Sequence, residues 1–173
     1  MEFYDVLQKR RSIRSFSNKP VETSKIKNIL NAAMRAPSAG NLQAYKIYLV
    51  HSQDKREAFL AAANYKEFMS QAPLVIVFVA DLQLSESKFG SRGLELYSIQ
   101  DATIATTYAQ LAITAEGLAS VWVGAFDPLE VSRILNLDSY HVPVSILAAG
   151  YPGEKAEPKP FSRKPITEVI KEA

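Results

Sequence analysis

The stretch RAPSAGNLQAYK, residues 35–46, decides how this sequence folds and raises its functional question. Before it, residues 24–35 place Ile26, Ile29, Leu30 and Ala33 at helical spacing, and Pro37 stops the helix because its ring disfavours helical geometry at Ala36. After it, YKIYLV (45–50) alternates as a half-buried strand does. The joint is therefore a helix-to-strand loop, and it is filled with Ser38, Gly40, Asn41 and Gln43. Turn chemistry accounts for the first three, since Gly and Asn tolerate left-handed backbone and Ser can cap. It does not account for Gln43. The Asn41 and Gln43 carboxamides each offer donors and an acceptor, a set that matches the edge of a heteroaromatic ring carrying alternating carbonyl and N–H groups.

Working outward, residues 2–10 form a short helix with Phe3, Val6 and Leu7 on one face, and residues 53–64 form another. LVIVFVA (74–80) reads as a strand buried on both faces. Ser98 and Asp101 make a capping-box pattern that opens a long helix, which Gly117 closes. From 102 to 115 that helix, ATIATTYAQLAITA, carries no charge, so it is expected to be buried on every side. In a domain this small, such burial suggests that a second subunit covers one face; the alternative is the central core helix of a monomer. SVWVGAF is a strand ending at Gly124, DPLE (127–130) a helix start with Asp as cap and Pro in the first position, and VPVSILAAG a last strand. The remaining tail holds four prolines and reads as an extended arm ending in a short apolar-periodic segment. Residues 1–173 make a single domain, about 151–173 of it being the arm.

The 173 residues, 47% of them hydrophobic, suffice for one core burying roughly 70% of the unfolded surface. A net charge of +2 is too small, and its cations too dispersed, for nucleic acid to be the main partner. The absence of cysteine excludes disulfides, thiolate catalysis and Cys-type zinc sites. The N-terminus is acidic then basic, unlike a secretory signal, and no apolar run approaches the ~18 residues of a membrane span. A soluble, cytoplasmic protein is expected. The seven glycines form neither a G-x-G pair nor a phosphate loop, and His51 and His141 lie far apart, so structural or surface roles are expected for both and no metal site. Demanding chemistry would have to come from a bound organic cofactor.

KRRSIRSF sets Arg10, Arg11, Ser12 and Arg14 just beyond the first helix. These residues read either as a basic helix end complementing the dipole or as an anion clamp, since guanidinium forks and a hydroxyl suit a phosphate. A nucleic-acid surface rests on the same arginines but lacks interleaved aromatics.

Taken in order, RRSIRSF, APSAGNLQAY, RGLELYSIQDA, GLASVWVGAFD and AAGYP with its basic, proline-rich arm resemble the FMN-dependent nitroreductase family, in particular its short members. The resemblance implies an α+β fold: a three-layer α/β/α sandwich whose mixed, mostly antiparallel sheet is flanked by helices. It also implies an intertwined homodimer with two FMN sites at its interface and the arm docked on the partner. Arg10, Arg11 and Ser12 would lie at the phosphate and ribityl region of FMN and Arg14 nearer the pyrimidine edge. Pro37, Ser38, Ala39, Asn41 and Gln43 would come from the partner subunit, the backbone of Gly124 and Ala125 would approach the hydride-accepting nitrogen, and Arg163 would return to the phosphate. Many relatives carry Gln-Pro-Trp where this chain has Gln43-Ala44-Tyr45, and a basic residue where it has Phe161; Asn64 and Lys66 lie where relatives also touch the cofactor. The implied activity is an NAD(P)H oxidoreductase that reduces nitroaromatics, quinones or similar small acceptors by a ping-pong route, with no catalytic side chain. A non-catalytic flavin-binding or redox-sensing homodimer, and a flavin-dependent dehydrogenase with one dedicated substrate, are the other readings.

Overall fold

LVIVFVA becomes the spine of the molecule. In the computed structural model, which describes residues 1–63, 67–154, 156–157 and 162–172, it forms strand β2 (Leu74–Asp81). β2 pairs antiparallel with β1 (Tyr45–Val50) on one side and with β4 (His141–Gly150) on the other. β3 (Ala119–Val123) adds antiparallel to β4, so the sheet order is β1-β2-β4-β3. Side chains alternate across a strand, and both faces of β2 are apolar, so the sheet must be covered twice. Val75, Val77 and Val79 pack with Phe59 of α3 (Gln53–Ala62), Met69 of α4 (Phe68–Gln71) and Val131 of α7 (Pro128–Leu135). Leu74, Ile76 and Phe78 pack on the opposite face with Ile29 and Ala33 of α2 (Thr23–Ala33) and with Ala105, Ala109 and Ile113 of α6 (Ser98–Ala115). The result is the expected α/β/α sandwich. Its sheet is antiparallel throughout; the parallel element among the described residues is an isolated bridge between Ser12 and Ser120 on the β3 edge.

Two helix ends follow from local chemistry. The Asp127 carboxylate accepts from the amides of Leu129 at 2.9 Å and Glu130 at 3.2 Å, with Pro128 in the first helical position. At the other end of the long helix, Gly117 takes φ +75°, and the amides of Leu118 and Gly117 close back on the carbonyls of Ile113 and Thr114, both at 3.0 Å.

The start of α6 differs from expectation. The chain is already helical before Ser98: it passes from α5 (Leu82–Phe89) through a π-type turn, Gly93–Tyr97, straight into α6. Tyr97 is itself helical and no side chain caps α6, so the capping box does not form. The Ser98 hydroxyl instead donates to the Leu94 carbonyl at 3.2 Å, and Asp101 is released for a contact elsewhere. α4 and α5 carry little apolar periodicity and are not anticipated by the sequence pattern.

Nor is α6 buried all round. Thr107, Tyr108 (39% exposed) and Ala115 face outward, with Leu111 and Ala112 half-buried between them. The neighbouring α1 (Phe3–Lys9) buries Val6 but leaves Phe3 (61%) and Leu7 exposed. Together they border an apolar depression with Met1 and Ala32. The tail first returns along the chain, the Ser17 amide donating to the Tyr151 carbonyl at 2.9 Å and the Gly153 amide to the Ser15 carbonyl at 3.0 Å. It ends in α8 (Ile166–Val169), whose Ile166 and Val169 are exposed. Asn64, Lys66 and Phe161 lie outside the described residues. Among the described residues no helix is long and apolar enough to cross a membrane.

The crossing of α5 with the π-type turn depends on Gly93, where an added Cβ would lie 2.3 Å from the backbone carbonyl oxygen of Ser85. Gly93→Ala is expected to cost about 2–3 kcal/mol through overpacking. By calorimetry that corresponds to a fall in Tm of roughly 5–10 °C.

Candidate functional site

After α1 the chain runs beside the outer edge of β3, where buried Ile13 pins it: its amide donates to the Ser120 carbonyl at 3.0 Å. This anchor sets Arg10 and Arg11 half-buried on one side and Ser12 and Arg14 exposed. Arg14 stands at the rim of a cavity of about 360 Å³ whose walls include Phe68, Trp122, Gly124 and Ala125. Gly124 is outside the left-handed region, and a Cβ there would meet nothing closer than the Trp122 indole nitrogen at 3.7 Å. Neither backbone strain nor internal packing asks for glycine here. What its missing side chain provides is an open face above the end of β3.

The tail contributes to the same place. Burial, then the positive charge of Arg163, then that of Arg11, hold the Arg10 guanidinium below its ordinary pKa. The charge of Arg163 is thus felt at Arg10, and one Arg11 Nη group donates to the Arg10 carbonyl at 2.8 Å. Like charges gathered in this way disfavour one another, and guanidinium groups so placed suit an anion through charge-assisted hydrogen bonds.

Residues 36–44 form a separate unit. One 3₁₀ turn, Ala39–Asn41, follows the end of α2, and Gly40, Asn41 and Gln43 all adopt left-handed backbone with φ of 51°, 56° and 51°. The Ser38 hydroxyl accepts from the Gln43 amide at 3.0 Å. The Gln43 carboxamide donates to the Asn41 carbonyl at 2.5 Å and to the Asn41 side-chain oxygen at 3.1 Å. Behind the loop, Lys88 of α5 donates to the Gly40 carbonyl at 3.1 Å, and the Ala39 amide donates to the Asp101 carboxylate at 2.9 Å. Gln43 thus takes part in the turn, in a conformation that a non-glycine residue adopts at a cost.

The two units do not meet within one chain. Residues 36–44 lead into β1 and the arginines flank β3, the two outer strands of the sheet. Three interstrand steps of about 4.8 Å place them roughly 14 Å apart or more. One edge carries Arg10, Arg11, Ser12, Arg14, Gly124, Ala125 and Arg163; the other carries Pro37, Ser38, Ala39, Asn41 and Gln43.

Neither histidine joins the site. His51 is exposed, while His141 lies 3.3 Å from Asp81 and 3.0 Å from Asp138. Among the described residues no His, Asp or Glu cluster suits a metal ion. The sequence motifs do not bring forward Phe68, Trp122 or Lys88. Asp101 carries a signal of a different kind: it is the sole charge within α6.

The chain matches the model of the Nitroreductase family over residues 7–64 and 58–151. It belongs to the nitroreductase family. A protein of Thermus thermophilus named NADH dehydrogenase is 32% identical over 189 residues, spanning 94% of this chain and 91% of that one. A protein of Bacillus subtilis named FMN reductase (NAD(P)H) is 31% identical over 167 residues, spanning 89% and 67%. The solved structure of NfrA2 from B. megaterium superposes with a TM-score of 0.88 at 29% identity, covering 99% of this nitroreductase and 74% of that chain.

The left-handed Gln43 yields a stability prediction. Gln43→Gly removes the steric cost of φ +51° and surrenders exposed hydrogen bonds worth little. Denaturant unfolding is expected to show this nitroreductase variant more stable by up to about 1 kcal/mol, after allowing for the greater freedom of unfolded glycine.

Proposed function

We propose that this nitroreductase is an NAD(P)H-dependent flavin oxidoreductase that holds FMN in two composite sites of a homodimer and reduces small electron-poor acceptors such as nitroaromatics or quinones. The observation that carries the reading is the placement of the guanidinium cluster and the carboxamide loop on opposite edges of one sheet. A two-fold axis sets the β1-edge loop of one chain against the β3 edge of its partner, so that neither half works alone. The uncovered apolar faces support it: Phe3, Leu7, Tyr108 and the half-buried Leu111 and Ala112 need a cover, and the exposed Ile166 and Val169 of the tail need a surface.

The residues fit FMN in kind. Arg10, Arg11 and Arg163 suit a phosphate through charge-assisted hydrogen bonds, and the exposed Ser12 hydroxyl suits a ribityl oxygen. Asn41 and Gln43, exposed on the partner loop, suit the carbonyl and N–H edge of the ring. A bound flavin would supply the two-electron hydride chemistry linking a reduced nicotinamide to the acceptor. The protein's part is to bind and to polarise. Arg14 sets positive charge at the cavity rim, favouring negative charge inside it, and Gly124 leaves access to the cavity free of side chain. No acidic or basic side chain has to transfer a proton. The lack of a glycine-rich phosphate loop is compatible with a nicotinamide that visits as a substrate, and two substrates alternating in one open cavity give ping-pong kinetics.

The purified protein is expected to show a flavin absorption spectrum that bleaches on anaerobic addition of NADH or NADPH, and double-reciprocal plots against a quinone are expected to be parallel. A colourless protein that FMN does not reconstitute would leave a structural or binding role instead.

Arg10→Ala combined with Arg163→Ala should raise the Kd for FMN at least about tenfold, since each charge-assisted hydrogen bond removed is worth about 1.5–3 kcal/mol. Fluorescence titration reads the affinity, while the Tm of the flavin-free protein should move by less than about 2 °C.

Leu111→Glu, which alters no residue assigned to the flavin, should give a monomer in sedimentation and lose FMN with it.

A further inference from the structure

Asp101 is 2% exposed, carries the single charge of α6, and has no part in the flavin contacts assigned above. Burying a carboxylate is costly unless hydrogen bonds compensate it. It is not needed as a helix cap, because α6 continues from the π-type turn before it. One carboxylate oxygen accepts from the Ala39 amide at 2.9 Å; the other is enclosed without a hydrogen-bond partner. The same carboxylate acts on the residue at the far end of the loop: burial first, and then Asp101, hold the Tyr45 phenol above its ordinary pKa. Tyr45 opens β1, and its hydroxyl donates to the Ala33 carbonyl at the end of α2 at 3.4 Å.

The loop has few other fastenings to the body of the protein. Its ends are fastened to the regular elements, the Ala36 amide donating to the Ala33 carbonyl of α2 at 3.1 Å and the Asp81 amide of β2 to the Ala44 carbonyl at 2.9 Å, whereas the bonds between them, Asn41 amide to Ser38, Leu42 amide to Ala39, and the Ser38–Gln43 and Gln43–Asn41 contacts, lie within the loop. Lys88, which holds the Gly40 carbonyl, is exposed. Between those two ends, the Ala39–Asp101 bond is therefore the buried tether of the turn, residues 38–43, in which three residues hold left-handed backbone.

We propose that Asp101 is the positioning residue of the flavin-facing loop: by accepting from the Ala39 amide it fixes the turn that presents Asn41 and Gln43 to the cofactor edge. The proposal rests on the functional reading above for its consequence, though not for the tether itself. Because α6 also carries the uncovered face at Tyr108 and Leu111, Asp101 ties the loop to the helix at the subunit contact.

The test removes each end of the bond. Asp101→Ala takes away the acceptor. Ala39→Pro takes away the donor at a site suited to it, since Ser38 already has the extended φ −140°, ψ 159° preferred before proline and Ala39 opens the 3₁₀ turn. Amide exchange of residues 40–43 in the flavin-free protein reads the tether, and FMN titration reads its consequence. Asp101→Ala should speed loop exchange at least tenfold and weaken FMN binding at least tenfold. Ala39→Pro should weaken binding to a similar degree, and the double variant should be no worse than the weaker single to within about twofold. Asp101→Asn keeps an oxygen acceptor and should restore FMN binding to within about threefold of the parent. Exchange rates and affinity unchanged in Asp101→Ala, losses that multiply in the double variant, or an Asn variant no better than Ala would each overturn the proposal. Should Asp101→Ala not fold, Ala39→Pro and Asp101→Asn decide it by the same criteria. A parent protein that binds no FMN would remove the functional reading and leave the exchange result to decide the tether alone.

Discussion

Burial of β2 on both faces is the constraint from which the rest of the structure follows. A strand with valines on one side and Leu74, Ile76 and Phe78 on the other needs two helix layers and a hydrogen-bonded neighbour along each edge. Those neighbours, β1 and β4, take the places beside it, and β3 adds outside β4. Every loop attached to β1 or β3 is thereby sent to a margin of the sheet. The arginine cluster and the residue 36–44 turn sit in such loops, so the packing of an interior strand fixes which of these groups share a margin and which do not.

Much of this is legible in the sequence where the controlling interaction is local. The cap at Asp127 and the closure at Gly117 each involve partners within five residues, and both form as their spacing predicts. β2 is legible because a seven-residue apolar run has few other places to go. Asp101 illustrates the opposite case. Its spacing from Ser98 suggests a local cap, but its partner is 62 residues away, and the turn before α6 has already satisfied the helix. The uncovered face of α6 reads as buried in the sequence because hydrophobicity records that a surface needs a cover without recording whose. The same holds for the candidate site: local motifs single out Arg10, Arg11, Asn41 and Gln43, whereas their separation is a property of strand order.

Two features of the site work against stability. Like charges converge around Arg10, and Gln43 holds a backbone conformation better suited to glycine. The core is closed behind them by Ile13 on one margin and by Ala44 on the other. Unfavourable arrangements that persist on top of a well-packed scaffold are characteristic of residues kept for what they bind. The rigid sheet holds them in place without being altered by them.

Placing the two halves on opposite margins also has a genetic consequence. In the proposed two-fold assembly each chain would contribute its arginine margin to one site and its amide loop to the other. On that proposal a copy defective in the arginines and a copy defective in the loop would each be inactive as homodimers, because every site would then contain a damaged half. Paired with one another, they would form a mixed dimer in which one site collects both defects and the other collects none. Two null alleles of different halves would therefore restore function when expressed together, while two alleles of the same half would not.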